Sequence, residues 1–453
     1  MSVKSATMHG LPPEMAKRVK TAAELVRGGA PFVRVVSHYD ADGISAAGVL
    51  CRALHRRGAQ FHATLARKFD APFFEALSAE GNALTIISDA GSAQIDLVER
   101  LPGNVIVLDH HAPKRESERV VQVNPHFFGV DGATELCAAS LAYAFAYELD
   151  ICNADLFPYA LAGIIGDKQS LGGFKGVNAA LVAHSIEGGS VVQEKGISLR
   201  GATISKGIAD SINPYFLGLT GNPAAASKFL SESGLDDGAP KDLEGESMRL
   251  LASLLTLRLL ESNVHPESVA EFTAPRFACP KLGMDAAELS ALVNASGRMD
   301  EPEVGLGACL GDLASLEKAK ILRKAYRSRL KDGLVRLERE GAKELKAIQY
   351  FRTEGATFAG SEAGLGIQFI LRKDKPVFAI SPDGGETSIS ARGNRAMVAR
   401  GLHLGKVCAL AENLGGRGGG HNVASGANVP SGKEDEFLAL ADELVLKQMG
   451  PAE

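Results

Sequence analysis

Short apolar runs alternate with longer amphipathic stretches along the first third of the chain. The runs rich in β-branched and aliphatic residues predict five strands, at residues 32–37, 61–65, 83–88, 104–108 and 119–123. Residues 136–149 and 154–166 have the apolar spacing of helices, and so do several gaps between the strands. Strands that alternate with helices predict a mostly parallel sheet covered on both faces. Residues 13–28 predict a further amphipathic helix that packs on this domain.

Acidic and imidazole side chains follow three of these predicted strands. They are His38, Asp40 and Asp42 after the first strand, Asp89 after the third, and Asp109, His110 and His111 after the fourth. Alternation along an extended chain lets the first three point one way. Ligands of parallel sheets bind beyond the carboxyl ends of the strands, so we expect all these residues at one edge. A turn, a helix cap or a solvated acid explains each residue alone, but the repetition favours a shared site.

The predicted cluster has the donor types of a metal site. Its candidate ligands are His38, Asp40, Asp42, Asp89, His110 and, at the end of a predicted helix, Asp167. Oxygen and nitrogen donors without a thiol suit Mn²⁺ or Mg²⁺ and disfavour structural zinc. Four carboxylates exceed what one divalent ion needs, whereas two ions about 3.5–4 Å apart fit, with Asp89 as the bridge. Such a centre predicts hydrolysis of a phosphate ester or anhydride.

The last hundred residues predict a second, smaller α/β unit. Strand-like runs lie at 356–359, 376–381 and 387–392, with helices near 362–372 and 404–413. The stretch G-G-R-G-G-G-H then runs from Gly415 to His421. Its Gly418, Gly419 and Gly420 bring backbone N–H groups close to an anion, and Arg417 and His421 add donors. A glycine-rich turn is the alternative, and we predict phosphate binding.

The middle of the chain predicts mostly helix. Residues 245–262 form a strongly apolar helical pattern that indicates a core helix, and residues 313–352 form a long one. Between residues 313 and 346 there are eleven Lys or Arg against five acids. These fit either a solvated connector with ion pairs or a basic wall for a phosphate backbone. We therefore predict a catalytic domain with its N-terminal helix over 1–240, a helical connector region over 241–352 and a substrate-binding domain over 353–453.

Composition narrows the class of protein. The chain has 453 residues and a net charge of −5, which argues against a nucleic-acid-coating protein but leaves a nuclease open. The six cysteines include no C-x-x-C pair, so neither a disulfide framework nor a zinc site is indicated. No run reaches the length of a membrane span, and the first ten residues lack the apolar core of a secretory signal. We expect a cytoplasmic protein without a membrane partner.

Five motifs in order resemble those of a known family. The segments Asp40-Ala-Asp42-Gly43, Asp89, Asp109-His110-His111 and Gly166-Asp167 resemble the four motifs of the DHH phosphoesterases, and Gly416 to His421 resembles the signature of the accompanying DHHA1 domain. The arrangement is most similar to RecJ-like exonucleases, particularly the archaeal branch that includes the GINS-associated nuclease. The fold implied is a mostly parallel-sheet DHH domain and a smaller α/β DHHA1 domain, joined by a long helical connector.

The resemblance also implies roles for individual residues. One metal would be held by His38, Asp40 and Asp89, and the other by Asp42, Asp89, His110 and Asp167. His111 would contact the scissile phosphate or act as an acid, and Asp109 would orient the histidines. Arg417 and His421 would grip substrate phosphates, and Arg392 matches a further basic position of the DHHA1 domain. The cofactor implied is a pair of divalent ions, Mn²⁺ ahead of Mg²⁺.

The function implied is single-strand-specific exonuclease activity in DNA repair or replication. The protein would hydrolyse DNA, RNA or both to nucleoside 5′-monophosphates. One alternative is a phosphodiesterase of short oligoribonucleotides or cyclic dinucleotides, and another is a replisome scaffold subunit that binds GINS. GINS and other replisome proteins stay open as partners of an active enzyme. Polarity, the choice between DNA and RNA, and the oligomeric state stay open as well.

Overall fold

The computed structural model describes residues 10–29 and 32–450, and the chain packs into two compact units. The first unit combines the chain up to Gly196 with Ala274–Tyr326. The second combines Ile197–Thr273 with the chain from Arg327 onward. These units are defined by packing, and the functional division at residues 240 and 352 stays a prediction.

A five-stranded sheet forms the centre of the first unit. Its strands are β1 (Phe32–His38), β2 (Gln60–Ala66), β3 (Leu84–Ser88), β4 (Asn104–Leu108) and β5 (Val121–Val123). They lie in the order β2-β1-β3-β4-β5, and every neighbouring pair is parallel. The mostly parallel sheet predicted from the sequence is therefore confirmed.

Helices cover both faces of this sheet. Up to residue 187 they are α1 (Pro13–Arg27), α2 (Ala41–Arg56), α3 (Ala71–Ala79), α4 (Ile95–Val98), α5 (Ala138–Leu149), α6 (Phe157–Gly166) and α7 (Gly176–Glu187), with 3₁₀ turns at Pro125–Phe128 and Ile151–Leu156. Successive strand residues enter different cores: Val35 packs with α1, α2, α5 and α6, and Val36 packs with α3 and α4. Burial on both faces is the reason that the central strands β3 and β4 are almost uniformly apolar, whereas the edge strand β2 is mostly half-buried and includes polar residues.

The turn from β1 into α2 is tightly packed. The side chain of Asp40 caps α2 by accepting a hydrogen bond from Gly43 N at 3.1 Å. Ser37 Oγ donates to the Gly43 carbonyl at 2.7 Å, and a Cβ on Gly43 would overlap the carbonyl of His38. The glycine of the D-x-D-G motif is therefore required by the close approach of two backbone segments.

A short antiparallel sheet marks where the chain leaves the first unit and returns to it. Its strands are β6 (Val192–Glu194), β7 (Arg276–Cys279) and β8 (Met284–Asp285), with a 3₁₀ turn at Pro280–Leu282. The intervening segment contains α8 (Ile204–Asp210), α9 (Pro223–Glu232), a 3₁₀ turn at Pro240–Asp242, α10 (Gly245–Glu261) and α11 (Pro266–Phe272).

Helix α10 corrects one expectation from the sequence. We predicted a core helix over residues 245–262, and one face does pack, through Leu251, Leu255 and Leu259. The other face exposes Leu250, Leu257 and Leu260, which are 43%, 55% and 47% accessible. The run of leucines predicts a helix that is buried all round, but in the structure only one face of α10 is packed against other residues.

The long helix is real but shorter than predicted. After α12 (Ala286–Arg298) and α13 (Pro302–Leu310), α14 runs from Leu313 to Glu340 rather than to residue 352. Gly341 follows with a φ of +70°, a left-handed conformation that ends the helix. Many of its basic side chains form ion pairs, among them Lys320–Glu317, Arg323–Glu288, Lys331–Asp210, Arg336–Glu354 and Arg339–Glu340. These pairs favour the connector interpretation over an unpaired basic wall.

The C-terminal part of the second unit is built on a six-stranded sheet. Its strands are β9 (Lys343–Glu344), β10 (Gln349–Arg352), β11 (Val377–Asp383), β12 (Glu386–Arg392), β13 (Arg417–Gly420) and β14 (Ala424–Pro430), in the order β13-β14-β12-β11-β10-β9. The helices are α15 (Ala356–Leu365), α16 (Arg395–Ala399), α17 (Leu404–Cys408) and α18 (Glu434–Met449), with a π-helical turn at Gly366–Ile370 and a 3₁₀ turn at Ala409–Leu414. The second, smaller α/β domain is confirmed.

Two predictions for this unit were wrong. Residues 356–359 were expected as a strand but form the start of α15, because Phe358 and Ala359 pack as one helical face. The stretch 349–352, expected within the long helix, is instead strand β10, which pairs with β11. Both segments are too short for apolar periodicity to separate helix from strand.

In residues 10–29 and 32–450, no helix combines the length and apolar character needed to cross a membrane.

The turn at Gly43 yields a stability prediction. Replacing Gly43 by Ala forces a methyl group against the His38 carbonyl, which we expect to lower the free energy of unfolding by about 1–3 kcal/mol. The control is Gly28→Ala, because Gly28 has a φ of −63° and ordinary space for a Cβ. Calorimetric melting of both variants checks this, with a fall of about 2–4 °C per kcal/mol expected for Gly43→Ala. Equal melting temperatures for the two variants would contradict the steric argument.

Candidate functional site

The carboxyl ends of β1, β3 and β4 bring the predicted residues of the first unit together. The ligand atoms of three side-chain groups each lie within 4.8 Å of one another: His38, Asp40 and Asp89; Asp42, His110 and Asp167; and Asp89, His110 and His111. We call the first of these the first ligand group and the second the second ligand group. Because Asp89 and His110 occur in more than one group, the residues form one continuous cluster.

The first ligand group is built on the strand end and the cap of α2. His38 Nδ1 lies 3.1 Å from Asp40 Oδ2 and 3.5 Å from Asp89 Oδ2. Burial opposes a charged imidazole, but the hydrogen bonds to these two carboxylates outweigh burial and raise the pKa of His38 to about 10. Burial likewise opposes ionisation of Asp40, and the hydrogen bond to His38 outweighs burial, which lowers the pKa of Asp40.

Asp42 is held by the start of a helix. It is only 3% exposed, and its two carboxylate oxygens accept hydrogen bonds from Ala138 N and Ala139 N, each at 2.8 Å. These N–H groups belong to the first turn of α5, where unpaired donors and the helix dipole favour an anion. Even so, burial and the charges of Asp89 and Asp167 raise the pKa of Asp42 to about 8.

Asp89 has an unusual backbone and an unpaired oxygen. Its φ is +58°, a left-handed conformation that few non-glycine residues adopt. The side chain is 3% exposed, and Oδ1 accepts no hydrogen bond although His110 Nε2 lies 3.2 Å away. A buried carboxylate oxygen without a donor is costly unless a cation satisfies it.

The two adjacent histidines are oriented by different partners. His110 Nδ1 lies 2.7 Å from the carbonyl of Gly132, so the Nδ1 proton is donated there. Its Nε2 faces Asp89 Oδ1 at 3.2 Å and Asp42 Oδ2 at 3.6 Å. His111 Nδ1 instead contacts Asp109 Oδ1 at 2.8 Å. When His110 is neutral and its Nδ1 carries the proton, its Nε2 presents a lone pair toward Asp89 and Asp42.

Asp109 and Asp167 complete the cluster. Burial opposes ionisation of Asp109, but the hydrogen bond to His111 outweighs it and lowers the pKa of Asp109 to about 2. Asp109 also accepts from Ser92 N at 2.9 Å. Asp167 lies just after α6 and accepts from Gln169 Nε2 at 2.8 Å. Burial, with Asp89 and Asp40 nearby, raises the pKa of Asp167 to about 6 although His110 opposes the shift.

These observations fit a binding site for divalent cations. The donors are carboxylate oxygens and imidazole nitrogens, which suit Mn²⁺ and Mg²⁺. Asp89 Oδ1 lacks a donor, and the acid pKa values of Asp42 and Asp167 are raised, which shows an excess of negative charge. A histidine whose other nitrogen donates to a backbone carbonyl is typical of a metal ligand. The cluster therefore has the chemistry of a cation site.

Sequence reasoning missed three side chains beside this cluster. The guanidinium of Arg67 lies 4.2 Å from the centre of the Tyr39 ring, and Arg298 Nη1 donates to Tyr39 Oη at 3.2 Å. Burial raises the pKa of Asp40, and the hydrogen bond and charge of His38 lower it. The charge of Arg298 adds a smaller lowering of this pKa. Tyr39 could have been noticed between His38 and Asp40, but no local pattern marks the two arginines.

The glycine-rich stretch of the second unit is a strand rather than an open loop. Residues Arg417–Gly420 form β13, which pairs with β14. A Cβ on Gly416 or Gly418 would overlap the backbone of Asn428 or Cys408, respectively, whereas one on Gly419 would meet nothing within 4 Å. Packing therefore explains several of these glycines, and within β13 Gly419 has open space for another molecule.

The predicted phosphate-binding residues lie along this strand pair. Arg417 Nη2 is 2.9 Å from Glu386 Oε2, in a two-point ion pair. The strand ends at Gly420, and His421 follows it. The carbonyl of His421 accepts from Ser425 Oγ at 2.6 Å, and Arg392 Nη1 lies 3.4 Å from the carbonyl of Ser425. Arg392 and His421 thus share Ser425 as a neighbour. Arg417 lies at the other end of β13, about 10 Å from Gly420 by strand geometry.

Both parts of the chain match family descriptions. Residues 32–164 match the DHH family, N-terminal domain, and residues 367–447 match the DHHA1 domain. An uncharacterised protein of Methanocaldococcus jannaschii is 33% identical over 446 residues, which cover 96% of this chain and 98% of that protein.

Solved structures share the fold at low sequence identity. RecJ of Thermus thermophilus in complex with Mn²⁺ has a TM-score of 0.61 at 19% identity, over 98% of this chain and 57% of the RecJ chain. CDC45 of Entamoeba histolytica has a TM-score of 0.66 at 12% identity, over 94% of this chain and 99% of that chain. The chain thus spans little more than half the length of the Thermus RecJ. With two matched domains in order and a relative matched over nearly its whole length, the chain belongs to the DHH family and carries a DHHA1 domain.

Proposed function

We propose that the protein is a metal-dependent exonuclease that hydrolyses single-stranded DNA or RNA to nucleoside 5′-monophosphates. The observation that carries the proposal is Asp89, whose buried carboxylate is shared between neighbouring groups of ligand atoms and has an oxygen without a donor. That arrangement supports two cations rather than one. It argues against a scaffold-only protein, which has no need to retain so much uncompensated buried charge.

The proposed ligands divide into two sets that share Asp89. One ion would be held by His38, Asp40 and Asp89, and the other by Asp42, His110 and Asp167 together with Asp89, whose Oδ1 lies 3.2 Å from His110 Nε2. When bound, two divalent ions polarise the attacking water and stabilise the charge that develops at phosphorus. Mn²⁺ is the ion proposed first, because the Thermus RecJ of the same fold is in complex with it, and Mg²⁺ is the alternative.

The other residues orient the substrate and handle protons. Asp109 fixes the Nδ1 proton of His111, so Nε2, on the opposite edge of the ring, can contact the scissile phosphate or give a proton to the leaving oxygen. The His111 side chain is 41% exposed, which gives a substrate access to it. Substrate phosphates are bound by Arg417, His421 and Arg392, together with those backbone N–H groups of Gly418, Gly419 and Gly420 that point away from β14.

Digestion of end-labelled strands tests this function. DNA and RNA twenty-mers, each labelled at either end, are incubated with the protein and Mn²⁺, alongside a dinucleotide and a cyclic dinucleotide. We expect stepwise release of 5′-monophosphates from the long single strands. Turnover of the dinucleotides alone would favour the phosphodiesterase alternative. Intact substrates throughout would favour the scaffold alternative.

Asp89→Asn tests the shared ligand. Asn tolerates the left-handed backbone of Asp89, so the variant removes the charge without straining the fold. We expect kcat to fall by more than about a hundredfold at every Mn²⁺ concentration, since the loss of residues outside the ligand shell already costs about 10–100-fold. Asp155→Asn, at a surface carboxylate paired with Arg56, is the control. Recovery of Asp89→Asn at high Mn²⁺ would exclude a shared ligand.

Arg417 is tested by a pair of substitutions. Arg417→Ala should raise KM several-fold and leave kcat unchanged, because a residue that only holds the substrate contributes to binding alone. Glu386→Gln should lower KM, because it releases the guanidinium from its two-point ion pair. Steady-state kinetics on one single-stranded substrate measure both effects. A fall in kcat for Arg417→Ala equal to that of Asp89→Asn would contradict the assigned roles.

Cation binding should release protons. The raised pKa values of His38, about 10, and Asp42, about 8, mean that at pH 7 both groups hold protons which a cation must displace, and Asp167, with a pKa of about 6, holds a further one below pH 6. We therefore expect Mn²⁺ affinity to fall as the pH falls from 8 to 6, by about tenfold per pH unit for each proton released. Calorimetric titrations with Mn²⁺ in buffers of different ionisation enthalpy measure this release. Equal affinity at pH 6 and pH 8 would contradict the expected coupling.

A further inference from the structure

A chain of buried polar side chains leads away from the second ligand group. Its members Gln169, Asn178 and Ser140 are 3%, 0% and 0% exposed. Ser140 Oγ donates to Asn178 Oδ1 at 2.6 Å, and Asn178 Nδ2 donates to Gln169 Oε1 at 2.7 Å. Gln169 Nε2 then donates to Asp167 Oδ2 and to the carbonyl of Gly132, both at 2.8 Å. In both amides, the NH₂ group donates toward Asp167 and the oxygen accepts from the residue on the other side.

The acceptors at one end of this network, the Gly132 carbonyl and the Asp167 carboxylate, fix the donor-to-acceptor direction of its hydrogen bonds. The Gly132 carbonyl can only accept hydrogen bonds, and so can the Asp167 carboxylate when ionised. The Gln169 amide must therefore turn its nitrogen toward them, since a flipped amide would put oxygen against oxygen. Its own oxygen then needs a donor, which Asn178 supplies. Buried networks of this kind are stable only when every member is satisfied.

The network reaches every member of the second ligand group. The Gly132 carbonyl that accepts from Gln169 also lies 2.7 Å from His110 Nδ1 and so orients that ring. At the other end, Ser140 lies in the first turn of α5, and the N–H groups of Ala138 and Ala139 in the same turn donate to Asp42. The network thus contacts Asp167 and the carbonyl that orients His110, and it adjoins the helix turn that holds Asp42.

We propose that Gln169 is a positioning residue of the site formed by Asp42, His110 and Asp167, and that it sets the affinity of this site for its cation. Gln169 fixes the Asp167 carboxylate directly and shares the Gly132 carbonyl with His110. The inference rests on the proposed two-metal function and adds a residue outside the five motifs. Loss of such a supporting residue weakens metal binding by about 10–100-fold in other metal sites.

Mn²⁺ titration of the metal-free, full-length protein tests this without relying on activity. Binding is measured by calorimetry and by the electron paramagnetic resonance of free Mn²⁺. We expect the wild-type protein to bind two ions. Gln169→Met fills the same volume without the donors, and we expect it to weaken one of the two ions by about 10–100-fold and leave the other unchanged. In turnover assays kcat should fall at low Mn²⁺ and recover at high Mn²⁺, with KM for the nucleic acid unchanged.

Gln349→Met is the matched control. Gln349 is 1% exposed, and its Nε2 also donates to two acceptors, the carbonyls of Arg372 and Lys375, at 2.8 Å each. The same substitution therefore removes the same two donated hydrogen bonds from a buried amide in the second unit, away from any predicted ligand, whereas Gln169 also accepts a third from Asn178. We expect a comparable fall in melting temperature for both variants, and a change in Mn²⁺ affinity for Gln169→Met alone.

A second variant keeps the test valid if Gln169→Met does not fold. Asn178→Asp keeps the shape but removes the donor that fixes the Gln169 amide, so it should weaken the same ion. If Asn178 acts through Gln169, the double variant should bind Mn²⁺ no more weakly than Gln169→Met.

Three results would overturn the inference. They are unchanged affinity for both ions in a folded variant, additive losses in the double variant, and an equal loss of affinity in Gln349→Met. A wild-type protein that binds no Mn²⁺ would instead overturn the two-metal function, and the inference with it.

Discussion

Mutual repulsion of carboxylates at one edge of a parallel sheet is the constraint on which the site depends. Parallel pairing of β1, β3 and β4 brings Asp40 and Asp89 to the same edge as the histidines, and burial removes the water that would screen them. The protein offsets part of this repulsion with histidine hydrogen bonds and with the N-terminus of α5. The remainder is a requirement for positive charge, and the proposed chemistry follows from that requirement.

The sequence was sufficient for the sheet and for the cluster, because both depend on repeated local signals. Apolar runs of five to seven residues that end in Asp or His are recognisable one by one, and the parallel topology gives them a common location. The supporting groups left no such signal. Gly132 acts through its carbonyl and the first turn of α5 through its N–H groups, and any residue type provides those.

The misjudged segments have a common physical origin. Residues 349–352 and 356–359 are four-residue stretches whose secondary structure is decided by the neighbours they pair with or pack on. In the glycine-rich stretch, an open loop and a closely packed edge strand have the same local sequence, and only the nearness of the Asn428 and Cys408 backbones decides for the strand, while phosphate binding there stays a prediction. Tertiary contacts decided these cases, so local pattern could not.

The short pairing of β6 with β7 has a consequence for how this chain can vary. Gln193 lies opposite Phe277, so the ends of the long segment between them are neighbours within the first unit. A segment whose ends are already joined adds little closure entropy as it lengthens, about 0.6 kcal/mol for each doubling. Residues 197–273 can therefore change in length at little entropic cost to the sheet edge that carries the carboxylates, and the constraint on them comes instead from their packing in the second unit.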